Sequence, residues 1–85
     1  PGYRVVRAKV HRTPAESAEA LRRLRRRYAE RHPNLLDGIL IEFENSWVHV
    51  RRSNTEPVLR VTAEAPTEAE AAALAARLVS EIAGA

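Results

Sequence analysis

The chain has 85 residues, enough for one small domain: near this size folding buries only about 60–65% of the surface the unfolded chain exposes, which excludes two separate cores. Fourteen basic against eleven acidic residues leave +3, and all but one of the basic residues are arginine, Lys9 being the exception, so the charge stays ionised at any working pH and suits phosphate or carboxylate. With 45% apolar and 29% charged residues the chain falls in the globular class, and the lack of cysteine excludes a disulfide framework, a thiolate zinc site and a cysteine nucleophile. Cytosolic residence is the expectation, with no apolar run long enough for a membrane span and no signal segment at the start.

Tyr3 to Val10 alternates, with Arg4, Val6, Ala8 and Val10 on one side and Tyr3, Val5, Arg7 and Lys9 on the other, which predicts a first strand. Thr13-Pro14-Ala15-Glu16 then offers an N-cap, a proline at the first helical position and a glutamate that completes a capping box. A helix is expected from here to Pro33, with Leu21, Leu24 and Tyr28 above Ala18 on its apolar side and Arg22, Arg23, Arg25, Arg26 and Arg27 on the remaining arc.

Ile39, Ile41 and Phe43, then Val48 and Val50, alternate about Asn45-Ser46. A two-residue turn at Asn45-Ser46 would pair Phe43 with Val48 and Ile41 with Val50, leaving Glu42 beside His49 and Leu40 beside Arg51 on the other side. Val58 to Ala65 reads as a further strand, with Leu59, Val61 and Ala63 inward and Arg60, Thr62 and Glu64 outward. Thr67 and Glu70 repeat the capping box, Ala71, Leu74, Ala75, Leu78 and Ile82 trace one helical stripe, and Gly84 sits where a C-terminal cap belongs. The order of strand, helix, hairpin, strand and helix predicts an α+β two-layer sandwich: an antiparallel sheet, both helices on one face, and Arg51 and Arg60 on the open face.

Three groups of residues bear chemistry. The arginines of the first helix, with Arg31, are expected to be solvated surface rather than a nucleic-acid track, since no aromatic side chains interleave with them and Glu16, Glu19 and Glu30 dilute the charge. His11, His32 and His49 fall at a strand end, a helix end and mid-hairpin, a spacing that does not make a metal or catalytic site. Arg51-Arg52-Ser53-Asn54-Thr55-Glu56-Pro57 concentrates guanidinium groups, hydroxyls, an amide and consecutive backbone N–H donors, so it fits either an anion-wrapping loop or a structural turn stiffened by Pro57.

Asp37-Gly38-Ile39, Trp47-Val48 and the run Arg51-x-Ser53-Asn54-Thr55-Glu56-Pro57-Val58-Leu59-Arg60 resemble the C-terminal domain of the phosphohexomutases, the phosphoglucomutase and phosphomannomutase superfamily, and the likeness extends over essentially the whole chain. The resemblance implies a fold like the TATA-box-binding protein, with residues 1–85 as the last of four domains in a longer chain, consistent with a sequence that opens on Pro-Gly and has no methionine. It implies that this loop grips the non-reacting phosphate of a hexose phosphate, or of the hexose bisphosphate intermediate, through Arg51, Ser53, Asn54 and Thr55. Arg60 would support it, and Glu56, itself anionic, would orient Arg51 or Arg60 or cap the loop. Catalytic groups and Mg2+ would then lie in upstream domains of the same enzyme, with no metal, cofactor or catalytic residue in this domain, no membrane partner and nucleic acid not expected. Asn54, where many relatives acting on glucose or glucosamine phosphates carry glycine, resembles the phosphomannomutase branch, and Asn45-Ser46 replaces a frequent aspartate-glycine turn.

Overall fold

A computed structural model describes residues 2–84. Strand β1 (Arg4–His11) is followed by helix α1 (Pro14–Arg27), strands β2 (Ile39–Glu42), β3 (Trp47–Arg52) and β4 (Val58–Ala65), and helix α2 (Glu68–Ile82). All neighbouring strands are antiparallel, in the order β1-β4-β3-β2. α2 packs over β1 and β4 and α1 lies beside it toward β2, so the α+β two-layer sandwich holds, with one face of the sheet left open.

Burial follows the alternation. Ile39, Ile41, Val48, Val50, Leu59 and Val61 point between the layers and meet Leu24 and Leu78 from the helices. On α1 the inward stripe is Ser17, Ala20, Leu21 and Leu24, with Ala18 only half-buried, a rotation that brings Ser17 into the interface. The predicted stripe of α2 is buried except at Leu74, which is half-covered.

Both helix starts are capped by threonine, but in different ways. At α1 the box is complete: Glu16 N–H donates to Thr13 Oγ1 at 3.1 Å and Thr13 N–H to Glu16 Oε1 at 2.9 Å. At α2 the Glu70 carboxylate accepts the Thr67 hydroxyl at 2.8 Å instead of the backbone N–H, so only half of the expected box forms. Thr13→Ala is expected to destabilise the chain by about 1 kcal/mol in urea denaturation, because it removes the hydroxyl that accepts the Glu16 N–H, while the backbone N–H of residue 13 can still donate to Glu16 Oε1.

Two boundaries differ from the sequence expectation. α1 ends at Arg27, not at Pro33; a 3-10 turn over Ala29–Arg31 follows, and His32 adopts left-handed φ 50° before the proline. Tyr28 is the cap residue at that end, with its side chain in the core and its hydroxyl donating to Glu81 Oε1 at 2.6 Å. Burial, reinforced by that carboxylate, pushes the Tyr28 hydroxyl up to about 12. Arg23 meanwhile caps the end of α2, donating to the carbonyls of Glu81 and Ile82.

The hairpin turn also moves by one residue. Phe43 N–H donates to Ser46 O at 2.8 Å, so Glu44-Asn45 form the turn, and Ile41 faces Val48, Ile39 faces Val50, Leu40 faces His49 and Glu42 faces Trp47. Each pair slips by two residues and every side chain keeps its face, which is why alternation alone did not reveal the shift. Phe43, just past the end of β2, packs toward the end of α1: Tyr28 meets its ring edge-on at 6.3 Å and the Arg31 guanidinium stacks over it at 4.4 Å.

Candidate functional site

β3 leaves the sheet at Arg52 and β4 enters at Val58, so residues 53–57 form a connector at one end of the two central strands. Ser53 organises it. Its N–H donates to Val58 O at 3.2 Å, while its hydroxyl oxygen accepts the N–H groups of Thr55 at 3.2 Å and Glu56 at 3.3 Å and lies 3.3 Å from the Thr55 hydroxyl. Pro57 has no N–H, and its carbonyl accepts from Arg12 N–H at 2.8 Å, which ties the loop to the start of α1. A nest of consecutive backbone donors is therefore not what this loop presents. Ser53, Thr55 and Glu56 N–H groups are already engaged, and Asn54 N–H is the loop donor left uncommitted among the described residues. What the loop offers an anion is that one N–H, the Asn54 amide, a hydroxyl proton from Ser53 or Thr55, whichever does not donate to the other, and the flanking guanidinium groups.

Arg51 and Arg60 lie opposite each other on the open face, with Lys9 opposite Arg60, so three cations form a row across β3, β4 and β1. Like charges directly opposed destabilise a sheet unless something intervenes. Glu56 intervenes: its Oε1 lies 3.2 Å from Lys9 Nζ and 3.1 Å from Arg60 Nη2. Of its expected partners, then, Glu56 holds Arg60 and not Arg51. Arg51 turns instead to Asp37, Nη1 to Oδ2 at 3.7 Å. The same Asp37 presents its carbonyl oxygen 2.6 Å from His49 Nε2, so the turn before β2 is fastened beside Arg51 at two points.

The hydrogen bond and charge of Lys9, then the charges of Arg60 and His11, hold the Glu56 carboxyl below the usual carboxylate range. A carboxyl depressed by folding contributes stability that is present above its unfolded pKa and lost as pH falls through the folded value. Acid denaturation of Glu56→Gln is accordingly expected to be less steep below the ordinary glutamate range than that of the parent chain, and superimposable acid limbs would show that the Lys9–Glu56–Arg60 bridge does not hold in solution.

Arg52, one residue on from Arg51, points the other way. The alternation of β3 places it with Val48 and Val50 on the helix side, where it lines a cleft of about 400 Å³ with Arg22, Arg25, Asp37 and Asn54. A smaller depression of about 240 Å³, lined by Arg12, Ser53 and Asn54, adjoins it through Arg52. Of the predicted residues, Arg51 and Arg60 thus flank the loop on the open face, while Ser53 and Asn54 border the depressions on the helix side. Arg12 and Lys9 were not singled out as site residues by sequence reasoning, Asp37 entered only through the family likeness, and Arg52 was counted among the loop guanidinium groups without its face being assigned, which strand parity now gives. The three histidines do not meet, and the described residues contain no group of three or more His, Cys, Asp or Glu side chains able to hold a metal.

Comparison with known proteins sets these features in context. A family model described as phosphoglucomutase/phosphomannomutase, C-terminal domain, matches residues 5–81. A probable phosphoglucosamine mutase of Methanopyrus kandleri is 37% identical over 73 residues, covering 84% of this chain and 16% of the relative. A phosphomannomutase of Escherichia coli is 40% identical over 57 residues, 65% of this chain and 12% of the relative. A probable phosphoglucosamine mutase of Methanococcoides burtonii is 60% identical over 30 residues, 35% of this chain and 7% of the relative. The chain therefore spans less than a fifth of the length of each of these relatives.

Proposed function

We propose that this chain, which belongs to the phosphoglucomutase/phosphomannomutase C-terminal domain family, is the substrate-phosphate grip of a cytoplasmic phosphohexomutase that interconverts hexose 6-phosphate and hexose 1-phosphate. The single observation that carries this reading is the Ser53-centred loop, which follows Arg51 and Arg52 at the end of β3 and carries Asn54 and Thr55 with most of its backbone donors already engaged. Such a loop changes little when a ligand arrives, so binding energy is not spent on ordering it.

In this role Arg51 supplies charge and paired donors to the phosphate, Thr55 and Ser53 supply hydroxyls, and Asn54 supplies its amide and free N–H. Glu56 keeps Arg60 and Lys9 compensated, so Arg51 is the cation of the open-face row most ready to turn from its 3.7 Å contact with Asp37 toward an incoming anion. The grip acts on the phosphate that does not react. Its binding energy aligns the other end of the sugar with chemistry performed in upstream domains of the same polypeptide. Because a hexose bisphosphate presents a phosphate at either end, one loop serves it in both orientations.

Phosphoryl transfer needs a nucleophile and a metal ion to neutralise charge. Here the donor set does not fit Mg2+: Asp37 and Glu56 each face arginine, and among the described residues no group of three or more His, Cys, Asp or Glu side chains converges. The metal belongs outside this chain in this reading.

Amide shifts recorded while hexose 6-phosphates, those of mannose and of glucosamine among them, are added to the chain test the reading. Saturable movement of the Ser53, Asn54 and Thr55 amides is expected. Loop amides that stay still while the α1 arginines respond to an oligonucleotide in a strongly salt-dependent way would instead identify a nucleic-acid module.

A further inference from the structure

We infer that the cleft between α1 and the end of β3 is a second anion subsite, separate from the Arg51 face, that takes the dianion of a small phosphomonoester. The charge balance of its walls leads there. Arg22 is paired with Glu19 at 2.8 Å, and the one carboxylate of the cleft, Asp37, is turned to Arg51 at 3.7 Å, so those charges cancel. Arg25 and Arg52 remain. Neither side chain makes a hydrogen bond or an ion pair with a described residue, yet both residues line the same cavity of about 400 Å³.

Two cationic side chains without a counter-charge on the wall of one cavity favour an anion there. A phosphate dianion matches their summed charge, and each guanidinium presents donors in the fork that phosphate oxygens accept in pairs. Asn54 adds a neutral amide to the same wall. Leu36, 93% exposed, lines the cleft as well and gives the carbon skeleton of an ester an apolar contact that bare phosphate cannot use. The cleft has no aromatic residue on which a base would stack, and its free charge equals one phosphate instead of a track of them, so a small ester fits it better than a nucleic acid.

The two subsites share Asn54 but no arginine, so this inference stands apart from the role proposed for Arg51. At constant ionic strength, inorganic phosphate and then a hexose 6-phosphate are titrated into the chain while backbone amides and arginine Nε–Hε signals are followed. Ala18, Leu21 and Gly38 amides and the Arg25 and Arg52 Nε–Hε signals are expected to move, with the ester binding more tightly than phosphate. Arg25→Gln/Arg52→Gln should weaken that response on the order of tenfold or more, and Arg51→Gln should leave it in place; Arg52→Gln alone serves if the double variant melts abnormally. A cleft that stays silent, responds equally to chloride, keeps its response in the double variant, or responds only to an oligonucleotide overturns the inference. So does a response that Arg51→Gln abolishes, which would make cleft and loop one site. Loop amides that fail to move while the cleft responds would count against the Arg51 role alone.

Discussion

Gly38→Ala is expected to destabilise the chain by roughly 3–5 kcal/mol, more than other single-atom additions to its surface turns. Gly38 has φ +70°, and a Cβ built there would lie 2.2 Å from the Val50 carbonyl oxygen and 2.9 Å from Arg51 Cα. A left-handed conformation alone disfavours an alanine by about 1–2 kcal/mol. The remainder comes from the collision, because the atoms in the way are backbone of β3 and cannot swing aside. Either the turn at Asp37-Gly38 lifts or β3 shifts, and in both cases Arg51 loses its setting. Gly84 provides the control: at φ +105°, with nothing within 4 Å of its hypothetical Cβ, Gly84→Ala meets backbone strain without a clash. Urea denaturation should separate the two by at least about 2 kcal/mol, and equal losses would mean that the turn does not press on β3.

Arg51→Ala, placed in the longer phosphohexomutase to which the proposed function assigns this chain, is expected to lower kcat/KM by on the order of 10²–10³ while barely changing stability. The stability half follows from exposure. The side chains of Arg51 and Asp37 are 49% and 69% accessible, so their contact is a surface ion pair worth about 0–1 kcal/mol at most. The activity half follows from position, since the guanidinium stands beside a loop whose other donors are neutral. Arg51→Lys should recover only part of the loss, because an ammonium keeps the charge without the paired geometry. Arg60→Ala should be milder, since Glu56 already occupies that guanidinium at 3.1 Å. Full activity of the Arg51 variant with an unchanged melting profile would remove Arg51 from the grip.

The layers and the faces of the strands were legible because alternation and capping are local signals: the Thr13 box and the inward Ile41, Val50 and Val61 need no tertiary information. The turn and the end of α1 were not: a slip of the hairpin by two residues leaves every face unchanged, so alternation does not report it, and the helix is capped at Tyr28, which sits on the same apolar stripe that a longer helix would bury. The loop was legible as a candidate through its composition and its likeness to a family, but its wiring was not. That Ser53 consumes the neighbouring N–H groups depends on a side-chain orientation, and that Glu56 bridges Lys9 and Arg60 depends on the register of β1 against β4. The division of Arg51 and Arg52 between opposite faces follows from strand parity once β3 is known to extend to Arg52.

The position of the phosphate in a crystal of the longer phosphohexomutase proposed to contain this chain, with a bound hexose 6-phosphate, tests the central claim most directly. A non-reacting phosphate within hydrogen-bond distance of the Arg51 guanidinium and of donors from Ser53, Asn54 or Thr55 is the result predicted here. A closed, occupied active site whose phosphates both lie beyond reach of this loop would contradict it.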